Sequence, residues 1–146
     1  MGIIKNFAAG LAGAVALNII HESLKKKGRD MPRVDLLGEE ALNDILGVFG
    51  NTITDQDTLY KATLAGDILS NAIYYSAIGV GKRNYIWPRA IVSGLAAGLG
   101  AVKLAKPLGL NEKTVAATEK TKGLTVAYYV TGALVTAFVL GMLNKK

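Results

Sequence analysis

The stretch from Gly123 to Leu143, GLTVAYYVTGALVTAFVLGML, contains no charged residue and is bracketed by Lys122 and Lys145. At 1.5 Å of rise per residue its roughly 21 residues reach about 31 Å, close to the thickness of a bilayer's hydrocarbon core. It reads as a transmembrane helix. Three further stretches extend that reading. Ile3 to Ile20 carries only Lys5, at its edge, and is followed by Lys25, Lys26, Lys27 and Arg29. Ala62 to Gly81 has Asp67 as its only charge. Ile86 to Ala105 has Arg89 and Lys103 near its ends, where long side chains can snorkel outward, and Tyr85 and Trp87 beside it suit an interfacial belt. Pro88 fits a first helical turn.

The expected fold is an all-α integral membrane protein, a four-transmembrane-helix bundle with an amphipathic surface helix between the first and second spans. A chain of 146 residues suits one domain, with spans near 3–22, 62–81, 86–105 and 123–143 and a polar insert over 23–60. Lys5, the apolar run from Phe7 to Leu17 and Ala14-Val15-Ala16 would also describe a secretory leader; the expectation is a retained helix. The opening Met-Gly is no myristoylation signal, because Asn6 stands where Ser or Thr is needed.

Composition agrees with this reading and closes off others. With 51% hydrophobic residues and 17 glycines the chain is not disordered, and it is too apolar for an ordinary soluble domain. Zero cysteines exclude disulfides, thiolate nucleophiles, zinc fingers and iron–sulfur clusters. A lone histidine, His21, cannot build a His-rich metal site or a two-His haem. No metal or cofactor is expected. The net charge of +6 mostly brackets the spans, so it is a topology signal rather than a nucleic-acid footprint.

The insert opens with Gly28 and Pro32 as helix breakers. Asp35 offers a cap, with Glu39 and Glu40 following in the first turn. Leu37, Ala41, Leu42, Ile45, Leu46 and Phe49 recur at helical spacing opposite Glu39, Glu40, Asn43 and Asp44, predicting an amphipathic helix that ends near Gly50-Asn51. Because its polar face is acidic, the helix is expected to pack against the bundle or a partner rather than be drawn to anionic lipid, with the acidic face as the partner surface. Thr54 to Asp57 resembles a capping box starting the second span, and Asn111 is placed to cap an extension of the last. Ala-Ala-Gly-Leu at 8–11 and 96–99, with paired tyrosines at 74–75 and 128–129, forms a weak internal echo of two hairpins.

Each span has a small or polar seam. Asn6, Gly10, Gly13, Leu17 and His21 share one arc of the first, and Thr63, Asp67, Ser70, Asn71 and Tyr74 stripe the second. Ala90, Gly94, Gly98 and Ala101 line the third, and Thr125, Tyr129, Gly132 and Thr136 the fourth. Gly10, Gly13, Gly94, Gly98 and Gly132 are the expected helix-packing positions, since small residues let helix backbones approach in lipid. Gly94-x-x-x-Gly98 suits a dimer seam or an internal contact equally.

Asp67, Asn71, Ser70, Tyr74 and His21 form the candidate intramembrane polar site. A carboxylate at full depth costs roughly 2.5–3.5 kcal/mol on insertion scales, so Asp67 needs a partner or water. It suits a proton-accepting or cation-coordinating role, or a structural network with Asn71, a tyrosine hydroxyl or Lys61. His21 and Glu22 read as a titrating pair or as a helix-end histidine at the interface. Lys25 occupies the second histidine position of a His-Glu-x-x-His zinc site, and no nucleophile elbow, P-loop or dinucleotide fingerprint is present. No catalytic residue is assigned.

Basic residues are more numerous in the insert and third loop than around the termini and Lys82-Arg83, which predicts a cytoplasmic insert and external termini. The expected partners are the lipid bilayer and a membrane protein or a second copy, with no nucleic acid. The expected location is a plasma or inner membrane. The expected function is that of a non-catalytic accessory, scaffold or self-associating bundle. The alternative is a small transporter, channel component or lipid- or ligand-binding module using Asp67.

Overall fold

The structure, a computed structural model, describes residues 2–145. Met1 of the opening Met-Gly and Lys146 of the basic C-terminus lie outside the described residues. All regular elements among them are helical: α1 (Ile3–Leu24), α2 (Val34–Val48), α3 (Gln56–Ser76), α4 (Ile86–Leu104), α5 (Lys113–Ala116) and α6 (Glu119–Leu143), with single 3-10 turns at Ala77–Gly79 and Arg83–Tyr85.

Three helical stretches are long and apolar enough to cross a membrane: Ile3–Leu24, Arg83–Leu104 and Glu119–Leu143. Helix α3 is not among them, because Asp57, Lys61 and Asp67 and its Thr, Ser and Asn residues dilute its apolar content. It begins further upstream than 62 and gives way to a 3-10 turn at Ala77, short of Gly81.

Packing follows small residues. Helices α1 and α6 form the central pair, α3 lies along α1, and α4 lies along α6. α1 and α6 run antiparallel, with Lys5 Nζ donating to the Leu143 carbonyl at one end. Gly13 meets Gly132 and Thr136 midway, where a Cβ would clash with the facing backbone. Gly10 sits as tightly against the Ala72 backbone, and Gly94 and Gly98 face the Cα atoms of Val130 and Val126 at a hypothetical Cβ distance of 2.6 Å each. The Gly94-x-x-x-Gly98 seam is thus an internal contact with α6. The two-hairpin echo pairs α1 with α4 and α3 with α6, which would make the α3–α4 contact equivalent to the α1–α6 contact. The α1–α6 contact is extensive and the α3–α4 contact slight, so packing does not repeat the echo.

Two polar bonds tie α3 to the far side. Tyr75, fully buried, donates its hydroxyl to the Tyr129 carbonyl at 2.8 Å, and Tyr74 donates to the Ser93 carbonyl at 2.8 Å. Arg89 Nε donates to the Ile78 carbonyl at 2.9 Å and secures the turn between α3 and α4.

The insert and the third loop meet. Arg33 N–H donates to the Thr114 carbonyl at 2.7 Å, and Val34, Ala105 and Val115 form a small apolar cluster between them. Several local expectations are corrected here. The cap of α2 falls at Arg33, and Asp35 is used in ion pairs instead. The cap of α3 is Asp55, whose carboxylate accepts from the Thr58 N–H, one residue on from Thr54. Asn111 accepts from Lys113 N–H and starts the separate helix α5, while α6 is capped by Thr118.

Most of the acidic face of α2 is turned inward, with Asp44 exposed. Glu39 is buried and accepts from Gln56 at 3.0 Å, and Glu40 accepts from the Asn111 N–H at 2.9 Å. Asn43 both donates to and accepts from the backbone of Ile53. Ile45, Val48 and Phe49 are exposed instead. The expected acidic partner surface is therefore largely spent on contacts within the chain.

Candidate functional site

The last two turns of α1 and its C-cap present Asn18, His21, Glu22 and Lys25 at i, i+3, i+4 and i+7, which places them on one helix face. That face meets the start of α2 and the first half of α3. His21 is buried at 2% exposure, its ring edge-on to Tyr128 at a centroid distance of 6.4 Å. Its Nδ1 is 3.5 Å from Glu22 Oε1, and its Nε2 is 3.3 Å from Asp35 Oδ1. The second approach is within ion-pair reach but lacks hydrogen-bond geometry, so Nε2 makes no directed hydrogen bond.

Asp35 is the hub of the outer half of the site. Arg33 grips it with a two-pronged fork, Nε to Oδ1 at 2.9 Å and a terminal nitrogen to Oδ2 at 2.7 Å. Such forks are the strong form of the carboxylate hydrogen bond. Lys25 reaches Asp35 at 3.4 Å and Glu22 at 2.9 Å, with its ammonium 4.7 Å over the Tyr60 ring. Burial acts to push the Asp35 carboxyl up, but His21 and Arg33 beside it outweigh that and hold it well below the usual carboxylate range. Burial likewise works against the Lys25 ammonium, yet Glu22 and Asp35 raise it above the usual lysine value.

Asp67 forms the inner half, reached from α1 and α3 together. Asn18 donates to its Oδ2 at 3.0 Å and Asn71 to its Oδ1 at 2.9 Å. Each amide also bonds a backbone carbonyl one turn before it, Asn18 to Ala14 and Asn71 to Asp67 itself, which fixes the side chains that hold the carboxylate. Both donors are neutral, and among the described residues no cation lies within 4.0 Å of Asp67.

Asn18, His21, Glu22, Asp35, Tyr60, Thr63 and Asp67 line one cavity of about 20 Å³, together with apolar neighbours. That is room for about one water molecule. Two buried polar atoms on its wall, His21 Nε2 and Thr63 Oγ1, have no hydrogen-bond partner.

Of the expected polar residues, His21, Asp67 and Asn71 are brought together. Ser70 is exposed and bonds the Asp67 carbonyl, and Tyr74 is directed to α4. Sequence reasoning missed Asn18, Arg33, Asp35 and Tyr60 as members. A readable signal existed for Asn18, which continues the polar spacing of His21, Glu22 and Lys25; Asp35 and Arg33 enter only through the turn after Pro32. No group of three His, Asp or Glu side chains that could hold a metal ion occurs among the described residues. Comparison with known families, curated proteins and solved structures finds no match to this chain.

Proposed function

We propose that the chain is a small polytopic membrane protein in which α1, α3, α4 and α6 all span, working as a non-catalytic accessory, scaffold or self-associating bundle of a plasma or inner membrane. The observation that carries this is the radial arrangement of side chains. Glycine, alanine and threonine occupy the helix contacts, while Ile19, Ile73, Val92 and Phe138 stay exposed on the outside. Lipid, not water, suits such a surface, and small residues at the contacts are how helices associate within it. Among the described residues the Thr63 hydroxyl and His21 Nε2 share a cavity wall, but neither has a hydrogen-bond partner, so they do not form the hydrogen-bonded nucleophile–base pair of covalent catalysis. Size measurement in a mild detergent tests the reading. A self-associated species, or a stable complex with a defined membrane protein, is expected; a lone monomer that binds nothing overturns it.

A second reading is favoured by the cavity between α1, α2 and α3: a small transporter, channel component or ligand-binding module that uses Asp67. Its support is the juxtaposition of a carboxylate lacking a cation with two unpartnered polar atoms on one wall. In reconstituted vesicles Asp67→Asn is then expected to abolish a pH- or ion-dependent flux while leaving the helical content unchanged.

A further inference from the structure

We propose that the cavity between α1, α2 and α3 is a proton-binding site, at which one proton is shared between His21 and Asp67 across a gap of one water. The inference rests on the second reading above and names its ligand.

Charge balance leads to it. Glu22, Asp35 and Asp67 are three carboxylates, and the permanent cations set against them are two, Lys25 and Arg33. Both cations are committed to the outer half, where Lys25 bridges Glu22 and Asp35 and Arg33 holds Asp35. Glu39, buried one turn along α2 against the neutral Gln56, does not line the cavity. A buried site one positive charge short is costly, because uncompensated charge is poorly tolerated away from water. One proton closes the local balance.

Of the titratable groups that line the cavity, Glu22 and Asp35 are already paired with Lys25 and Arg33, which leaves His21 and Asp67 as the places for it beside Tyr60. Asp67 accepts from two amides that supply hydrogen bonds but no charge. His21 has Nε2 directed into the buried site with no hydrogen-bond partner. Protonated, its imidazole, with Nδ1 3.5 Å from Glu22 and Nε2 3.3 Å from Asp35, adds a cation to the wall of the cavity it shares with Asp67; neutral, it leaves the proton to Asp67. Thr63 Oγ1, also unpartnered, offers a hydroxyl to a water between them. The other titratable groups around the pair are Tyr60 on α3 and Tyr128 on α6 against the histidine side, and Tyr75 and Tyr129 within electrostatic reach of Asp67. A proton is the ligand that fits a space of about 20 Å³ with no set of metal ligands.

His21 is the sole histidine, so histidine labelled with carbon-13 gives one magnetic resonance signal in the full chain in lipid nanodiscs. In the wild type, the His21 resonance and a buried carboxyl infrared band are expected to change with a common midpoint, since interacting sites titrate as a pair. In Asp67→Asn the carboxyl band disappears and the His21 midpoint moves toward acid by about one unit, as loss of a nearby opposite charge requires. Asp44→Asn, on the exposed side of α2, leaves both unchanged. A His21 midpoint that is the same in Asp67→Asn overturns the proposal. So does a wild type whose His21 and carboxyl signals titrate independently, a result that does not depend on any variant folding. Absence of proton flux in vesicles alongside coupled titration removes the transport reading and supports the site; uncoupled titration alongside flux of another ion removes the site alone.

Discussion

Asn18 on α1 and Asp67 on α3 meet at 3.0 Å, and the same Asn18 amide also donates to the Ala14 carbonyl at 2.9 Å. One side chain thus joins two helices and restrains its own orientation. Its replacement by leucine removes a donor from a carboxylate that has no cation to fall back on. A buried acceptor left without a partner costs about 1–3 kcal/mol, and more when charged. Asn18→Leu is therefore expected to lower stability by at least that range in mixed-micelle unfolding followed by circular dichroism. The pair Asn18→Leu with Asp67→Leu should lose less than the sum of the two single changes, and strict additivity would show that the contact carries no coupling.

The seam between α4 and α6 makes a sharper distinction among glycines. A methyl at Gly98 would stand 2.6 Å from the Val126 Cα, whereas at Gly141 it would meet nothing within 4 Å. Gly98→Ala must push the two helices apart, at a cost of about 1–3 kcal/mol typical of overpacking. Gly141→Ala has only the helix propensity to gain, up to about 1 kcal/mol. Thermal unfolding of the two variants should move in opposite directions. Because Gly94 and Gly98 are used inside the chain, Gly98→Ala is also expected to lower stability without changing the oligomeric state.

The long apolar runs were legible because length and the absence of charge are local properties, as Gly123 to Leu143 shows. The small seams were legible too, since Gly94 and Gly98 recur at helical spacing. What depended on the turn between elements was not. Asp35 looks like a cap in sequence, and only the course of the chain through Pro32 delivers it to His21 and Arg33. Helix α2 is the plainest case. Its period identifies two faces, but not which one meets protein. Gln56, the Asn111 N–H and the Ile53 backbone offer hydrogen bonds, so the acidic and amide side turns in and Val48 and Phe49 turn out.

The lowered pKa of Asp35 has a defined pH consequence. Its folded-state value lies below the ordinary carboxylate value of about 3.9, so the unfolded chain takes up the proton first as pH falls. Its contribution to folding is complete above about pH 5 and is lost progressively on acidification below about pH 4. Unfolding midpoints measured between pH 3 and 7 should fall at the acid end in the wild type. In Asp35→Asn the stability at pH 7 should be lower and the acid fall shallower. An identical pH profile in the two proteins would count against the Arg33 and His21 contacts as the cause.

Whether α3 crosses the bilayer is decided by the side on which its two ends emerge. The chain has no cysteine, so a single introduced thiol reports on one position without background. Asn51, Lys82 and Lys106 are exposed and lie before α3, between α3 and α4, and after α4. Four spans place positions 51 and 106 on one side and position 82 on the other. The contact between the insert and the third loop, through Arg33 and Thr114, already requires the first two to share a side. Asn51→Cys and Lys106→Cys are therefore expected to react together with an impermeant maleimide in sealed vesicles, and Lys82→Cys only from the opposite face. From the excess of basic residues in the insert and third loop, positions 51 and 106 are expected on the cytoplasmic side. Labelling of positions 51 and 82 from the same face would place α3 along the membrane surface, with Asp67 outside the hydrocarbon, and would remove the four-span arrangement.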